Sequence, residues 1–579
     1  AFAELYIHSK EKTWKDLGIS IGVFALCLLM IVGTKLSWFE MNQNYLKETM
    51  RGGHSELTKE NEDQNKSAGL DIDYATAWSY GVGETMTLMI PNWEGGASGY
   101  NVGKNSELYQ TMVKQGIPKR SAEQFCGQAP TYRGEKAFTS GPVYIGAIIC
   151  FLFVLGALIV PGPYKWALLI ATAFSITLAW GRNMMWLTEL FFNYFPMYNK
   201  FRAVESILVV AEITMPLLGI LALQQIINKN FEWEALKKNL FIAGGITGGL
   251  CLFFALFGGV VDVTSTYDAQ WVNQVPAWLE GAILEERTSM IKSDAWRSFI
   301  FITLGFTLLY WYASKSEKTT GKSLDYLLYG ALFILVLVDM IPVNRRFFGD
   351  DHFVKAKDAE AAFAIQPYEK QILEDQSLNY RVLNLATNTF NDARTSYRLK
   401  SIGGYSAAKL RRYQDLIDEH ISKEMNPLLQ AIVRTQGFTI PDENNGKDFM
   451  VLNMLNMKYA IVPTQESTPH PVLNPYAMGN CWFVDEVLWA ENADEECAML
   501  NKIDAKKQAV ADKKFTEALN TNQPETASLM SYDKDSIYLT SYQPNCLEYV
   551  TTNERNKVAV FSEIYYPHDW HLYMTDTNG

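Results

Sequence analysis

The residues best placed to do chemistry are charges set in apolar surroundings. Arg202, Glu205 and Glu212 lie where an apolar run begins, and their spacing puts all three on one face of a helix. Ionisable groups in such a run are costly and persist mostly where they act. Pro216 lacks an amide hydrogen and leaves the carbonyl of residue 212 without its helical partner, so a kink or a water is expected beside the Glu212 carboxylate. Two readings stay open: a structural ion pair of these acids with Arg182 or Arg202, and a polar pocket opening outward. Arg182, Lys200 and Arg202 bracket Met184–Tyr198, a segment rich in Phe, Tyr, Trp and Met. Cations beside aromatics suit the phosphate of a membrane lipid; anchors that snorkel to the interface would give the same pattern. Asp71, Asp73 and Glu84 are carboxylates suited to acid–base work or to a divalent metal. Glu84 stands out because its apolar neighbours would raise its pKa toward that of a base. His352 and His568 are isolated, and no GxSxG, HExxH, Walker A or Rossmann glycine pattern stands where its structure could form.

The elements that must position these groups are membrane helices. Apolar runs fall at Leu17–Leu36, Val143–Val160, Trp166–Trp180, Val204–Leu223, Leu240–Val261, Phe299–Ala313 and Leu324–Val343. A hydrocarbon core of ~30 Å takes ~20 residues of helix, so a bundle of about seven spans is expected, two of them short. Lys10, Lys12, Lys15, Lys165, Lys229, Lys237, Lys238, Lys315, Lys318 and Lys322 would then all lie on one side. Basic residues in short loops stay in the cytoplasm, which places Ala1 inside and everything after Asn344 outside. The expected layout is a cytoplasmic segment 1–16, a span 17–36, an external loop 37–140, a six-span bundle 141–343, an external α/β domain 344–530, and an external β-sandwich-like region 531–579, incomplete at its end. Met184–Tyr198 fits a helix lying in the outer interface.

Composition sharpens this division. The 48% hydrophobic content is ordinary for a soluble chain, but the long apolar runs crowd into the first 343 residues. A net charge of -12 argues against nucleic acid, which needs a clustered basic face. The seven cysteines include no CxxC pair and no Cys/His group at metal spacing, so no cofactor is implied. Cys126, Cys481, Cys497 and Cys546 would all be external, and a disulfide among them is left open. The chain opens at Ala1 with neither an initiator Met nor a signal peptide, so a piece of a longer protein is expected.

Within the external domain, Tyr380–Ala386, Lys458–Val462 and Trp482–Leu488 read as strands. Ala407–Ser422 reads as a helix with Arg411, Arg412, Asp415 and Glu419 on its wet face. From Ser536 short alternating stretches, including Val558–Phe561 and Trp570–Met574, follow the pattern of a β-sandwich.

Several stretches together resemble the YfhO family of bacterial multi-pass membrane proteins: Ser79-Tyr-Gly-Val-Gly-Glu84 with Ile90-Pro-Asn92, Phe195-Pro-Met-Tyr-Asn-Lys-Phe-Arg202, Tyr380-Arg-Val-Leu-Asn384, Ser401-Ile-Gly-Gly-Tyr405 with Arg411-Arg-Tyr413, Leu455-Asn-Met-Lys-Tyr459, and Phe561-Ser-Glu-Ile-Tyr-Tyr-Pro567. They cover nearly the whole chain, and none is a catalytic signature. That family resembles the GT-C glycosyltransferases, polytopic bundles that move a sugar from a polyprenyl-phosphate donor to an acceptor outside the membrane. The resemblance implies such a transferase in the bacterial cytoplasmic membrane, acting on a cell-envelope glycan or polymer. It also implies further spans before Ala1 and more chain after Gly579. GT-C enzymes keep their catalytic carboxylate in the loop after the first span, which leaves open whether the base lies in this chain. The alternatives are a transporter or flippase for a lipid-linked glycan, which would also want Glu212 and a proline kink, and a non-catalytic envelope scaffold.

Overall fold

The computed structural model describes residues 2–52, 55–57, 69–270, 274–316, 322–435, 439–440, 446–464, 468–517, 535–553, 557–568 and 570–575. Ala1, Lys318, residues 531–534 and Gly579, on which parts of the expected topology and layout rested, lie outside the described residues. The chain is mostly helical and divides into two compact units, Ala1–Leu36 with Leu70–Val354, and Ser37–Gly69 with Lys355–Gly579.

Among the described residues four helices are long and apolar enough to cross a membrane: Trp14–Lys47, which belongs to the first unit up to Leu36 and to the second from Ser37, and Val204–Ile227, Trp233–Val260 and Ser323–Phe347 of the first unit. Leu29, Ile220, Phe241 and Ile334 are exposed on them, a display that fits lipid rather than water. The other three expected spans differ from expectation. Val143–Val160 yields only the helix Ala147–Ile159, and Trp166–Trp180 falls in Pro163–Ala179. At ~1.5 Å per residue the first of these reaches only ~20 Å, short of a ~30 Å core. Phe299–Ala313 is the apolar end of a 40-residue helix, Ala277–Ser316. Its charged first half packs Leu279, Ala282 and Ile283 against Leu108, Met112 and Ala122 of the loop preceding the bundle.

Close approach of two helices explains part of the bundle's core. A Cβ on Gly156 would lie 2.6 Å from the Leu218 carbonyl oxygen, and one on Gly219 would lie 3.0 Å from the Leu152 Cβ. Glycine at both places lets Ala147–Ile159 and Val209–Ile227 meet backbone to backbone. Asp339, inside the last of the four long helices, ties the same layer together. Its carboxylate accepts from the Tyr144 hydroxyl at 2.7 Å and from the Ala147 amide at 3.0 Å, and pairs with Arg297 at 2.9 Å. It thus satisfies an orphan amide and the positive end of the Ala147–Ile159 helix.

Residues 70–140, 181–203 and 258–297 meet at one end of this unit. The Leu70 amide donates to the Asn199 carbonyl, and Arg133 donates to the carbonyl of Asp262. Arg287 pairs with Asp268 at 2.7 Å and donates to the carbonyls of Pro130 and Thr131. These are the loops that the lysine pattern places on one face.

The second unit has a three-stranded sheet at its centre. Arg381–Asn384 runs parallel to Met457–Val462, which pairs antiparallel with His470–Leu473. Ile417, Ile421, Leu428 and Ile432 pack over Leu383, Ala460 and Val462. The helix expected at Ala407–Ser422 begins at Arg411, continues through a π turn at Ile417–Ile421, and runs on to Arg434. Arg411 and Asp415, expected in water, are buried and paired at 3.0 Å, and Asp415 also accepts from Ser55. Tertiary contacts with Glu48, Met50 and Ser55 cover that face, and helical periodicity cannot announce them.

The β-rich end shows pairs of strands where a sandwich was expected. Ser536–Gln543 pairs with Cys546–Thr552, Cys481–Val484 with Val558–Phe561, and Glu486–Ala490 with Gln508–Asp512. Among the described residues these make separate two-stranded sheets, and Trp570–Met574 is exposed without strand pairing. Alternation specifies a pleated face, not the partner it pairs with. Cys126, Cys481, Cys497 and Cys546 are free thiols.

Candidate functional site

The polar end of the first unit contains a buried knot of charge. Tyr80 donates its amide to the Ala179 carbonyl, and the Ser79 hydroxyl accepts from the Arg182 amide at 2.9 Å. Gly181 makes this contact possible. Its φ is +49°, and a Cβ there would lie 2.2 Å from the Ser79 Oγ. The chain anchored this way turns through Gly81 and Gly83 and delivers Glu84 inward, where one carboxylate oxygen accepts the Gly81 amide at 3.2 Å.

Glu84 meets Lys136. Lys136 is 1% exposed, and its ammonium lies 2.9 Å from the Glu84 carboxylate and 2.9 Å from that of Glu205. Tyr80 and Tyr132 present ring faces to it, and the Tyr132 hydroxyl donates to Glu84 at 3.4 Å. Burial raises the Glu84 pKa, with the nearby Lys136 charge opposing it. For Lys136 burial works downward, but the Glu84 and Glu205 carboxylates outweigh it and hold the ammonium above its ordinary value.

Glu94 faces the same turn, its Oε1 lying 3.6 Å from where a Gly83 Cβ would stand. Its partner is Arg133, whose Nε approaches to 3.3 Å. That is close enough for an ion pair, yet the Nε makes no well-angled hydrogen bond. Arg133 is turned instead toward the carbonyls of Trp93 and Asp262. Burial therefore dominates, and the Glu94 carboxyl is pushed up to about 7 despite Arg133, with the Glu84 charge adding to the rise. This is the pKa of a group that exchanges protons near neutrality.

Arg182 and Arg202 both attach to residues 74–80. Arg182 donates to the Glu135 carbonyl and pairs loosely with its carboxylate, which also accepts from Asn183. The Arg202 guanidinium lies over the rings of Trp78 and Tyr74, at 4.8 and 5.4 Å, and donates to the Tyr74 hydroxyl. Lys200 closes the short turn Tyr198–Lys200, and burial pulls its pKa down. Between them runs the helix Met185–Tyr194, with Trp186, Leu190 and Tyr194 exposed and Leu187 and Phe192 buried.

The other expected site residues fall elsewhere. Asp71 accepts the Tyr74 amide at 2.9 Å and caps the short helix Ile72–Ala75. Asp73 is exposed on that helix and stands apart from the buried knot. The shared face of Arg202, Glu205 and Glu212 does not form. Ala203 takes a left-handed φ of +63°, and Val204–Leu208 winds as a tighter 3₁₀ turn, which shifts the phase of the helix that follows. Glu205 accordingly pairs with Lys136, while Glu212, expected inside the bundle or on a water-filled cavity, is exposed between the exposed apolar side chains of Val209 and Ile213. Among the described residues no group of three His, Cys, Asp or Glu could hold a metal ion.

Lys136, Glu94 and Arg133 were not legible as site residues. In sequence they are ordinary loop charges, and only the fold removes them from water. Asp339 was findable, since it is a carboxylate inside an apolar run. Compared with models of protein families, with curated proteins and with solved structures, the chain matches none.

Proposed function

We propose that this chain forms part of a membrane glycosyltransferase that moves a sugar from a polyprenyl-phosphate donor to a cell-envelope glycan on the outer face of the bacterial cytoplasmic membrane. The observation that carries this reading is the buried knot of Glu84, Glu94, Glu205, Lys136 and Arg133 beside two arginines on an aromatic interfacial segment. Arg182 and Arg202 would hold the donor phosphate, exchanging Glu135 and Tyr74 for its oxygens. Glu94 takes the role first considered for Glu84, because Glu84 is held by Lys136 whereas Glu94 titrates near neutrality. In the step, the acceptor hydroxyl gives its proton to Glu94, the acceptor oxygen bonds the anomeric carbon, and the bond from that carbon to phosphate breaks. The departing phosphate keeps the electron pair and is stabilised by the arginines. Exposure of Glu212 on an apolar face lends nothing to the transporter reading.

The test is transfer of radiolabelled sugar from synthetic polyprenyl-phosphate donors by the full-length protein in membranes. Glu94→Gln should lower the rate about a hundredfold, within the usual range for a general base. A normal rate in both Glu94→Gln and Arg202→Ala would overturn the reading. The outward orientation rests on the lysine pattern and has its own test: in a version whose seven native cysteines are replaced by serine, a cysteine in place of Ser541 should react with an impermeant thiol reagent on intact cells, and one in place of Ser314 should not. The reverse labelling would invert the topology.

A further inference from the structure

The second unit carries a groove that the transfer reading does not use. It has a volume of about 630 Å³, within the range of small-ligand sites. One wall is a stripe of the helix Trp14–Lys47, with Met41, Asn44 and Tyr45 at helical spacing; the other is formed by Leu410, Tyr566 and Trp570. The irregular segment that holds Tyr566 is pinned on both sides. Tyr565 lies 4.7 Å beneath the Arg412 guanidinium, and the His568 imidazole meets the Glu48 carboxylate at 3.1 Å. Across the groove the Tyr45 hydroxyl donates to the Ala408 carbonyl, and its ring stands 6.2 Å from that of Tyr566. The Tyr45 and Tyr566 rings are thus set before any ligand arrives, which lowers the cost of binding.

Lining chemistry narrows the occupant. Among the described wall residues Glu40 is the one charged at neutral pH, and the Lys47 ammonium, which donates to Asn44 at 3.3 Å, is not itself part of the lining. A phosphate or any other anion would meet only repulsion there. A purely aliphatic chain would cover the Ser37 hydroxyl and the Glu40 carboxylate and leave them without partners, whereas Asn42 already donates to the Trp38 carbonyl and Asn44 already accepts from Lys47. A ligand with flat C–H faces for the aromatic rings and neutral hydroxyls for the amides and carboxylate satisfies both. We propose that this groove binds a neutral saccharide. Its identity as the acceptor rests on the transfer reading above; the binding does not.

The experiment is saturation-transfer NMR on the full chain in lipid nanodiscs, with maltohexaose and chitohexaose as probes, and hexagalacturonate and a soluble phosphatidylglycerol as controls. At least one neutral probe should bind, the anionic controls should not, and Trp570→Ala and Tyr566→Ala should each weaken binding at least tenfold. Trp570 is 57% exposed, so its replacement leaves the fold intact. Failure of both neutral probes, equal binding by Trp570→Ala, or preference for an anionic control would overturn the proposal. Transfer activity whose acceptor KM is unchanged in Trp570→Ala would remove the acceptor role and spare the transferase. Binding lost in Trp570→Ala, in a full-length protein that transfers no sugar, would remove the transferase and spare the groove.

Discussion

Lys136 and Glu56 hold mirror-image positions in the two units. Lys136 is a cation shared by two carboxylates, Glu84 and Glu205, and is almost wholly buried. Glu56 is a carboxylate shared by two cations, Arg412 and Lys514, with its side chain 48% exposed. Contact geometry is similar, so the surroundings decide what each cluster is worth. In water an ion pair gains little, because solvent screens it and two long side chains must be held still. In a dry interior the pair itself adds little over a hydrophobic replacement, but removing one member strands the others. Burial therefore makes the first cluster a point of failure and a place where protons can be held, while exposure leaves the second nearly dispensable. Burial works upward on the Glu56 pKa, yet Lys514 and Arg412 outweigh it and lower it.

The largest expected effect that would break this contrast is on Lys136. Lys136→Ala should cost about 3–5 kcal/mol, because it leaves Glu84 and Glu205 uncompensated. Thermal unfolding in detergent measures it, and an unchanged midpoint would show that the knot holds nothing. A second comparison uses adjacent residues of the second unit. Arg411 is buried against Asp415 while Arg412 is exposed, so Arg411→Ala should cost about 3 kcal/mol and Arg412→Ala less than about 1 kcal/mol. Equal losses would mean that burial is not what separates them.

Glu94 should give the next effect, in pH dependence. Its carboxyl is raised to about 7 in the folded protein, against ~4.3 for an unfolded glutamate. The folded state then holds the proton through that window. Its stabilising contribution is complete below about pH 4.3 and is lost as pH rises toward 7, by at most roughly 4 kcal/mol. Unfolding midpoints from pH 4 to 8 should fall in the wild type and flatten in Glu94→Gln; parallel curves would refute the assignment. The smallest effect is Glu56→Gln, expected to cost under about 1 kcal/mol and to vanish at high salt. A loss that salt does not reduce would place Glu56 in a drier setting than its exposure indicates.

Several features were legible in the chain alone. Apolar runs of membrane length identify lipid as one solvent, since the length of an apolar run is itself the signal. Glycines and apolar residues around Glu84 marked a carboxylate in a dry setting, and Glu84 is buried. Met184–Tyr198 read as an aromatic-rich helix lying in an interface, and Met185–Tyr194 is a helix with Trp186 and Tyr194 exposed. Strands at residues 381–384 and 457–462 were visible in their β-branched and aromatic content.

What only the tertiary structure decided is partnership. Lys136 reaches Glu205 across 69 residues of sequence, and Arg346 reaches Asp294 across 52, distances over which local pattern carries no information. The place of Glu212 turned on a left-handed residue at Ala203, which breaks the helical phase that its spacing assumed. Arg411 and Asp415 are covered because Glu48, Met50 and Ser55 pack on them, and the Glu94 pKa rose because the fold buries its carboxyl, with Arg133 only partly opposing. Sequence by itself determined which segments leave water, because hydrophobicity is a property of each residue and its neighbours in the chain. The charges that leave water with them, and what each then meets, depend on contacts between distant segments, and those exist only once the chain is folded.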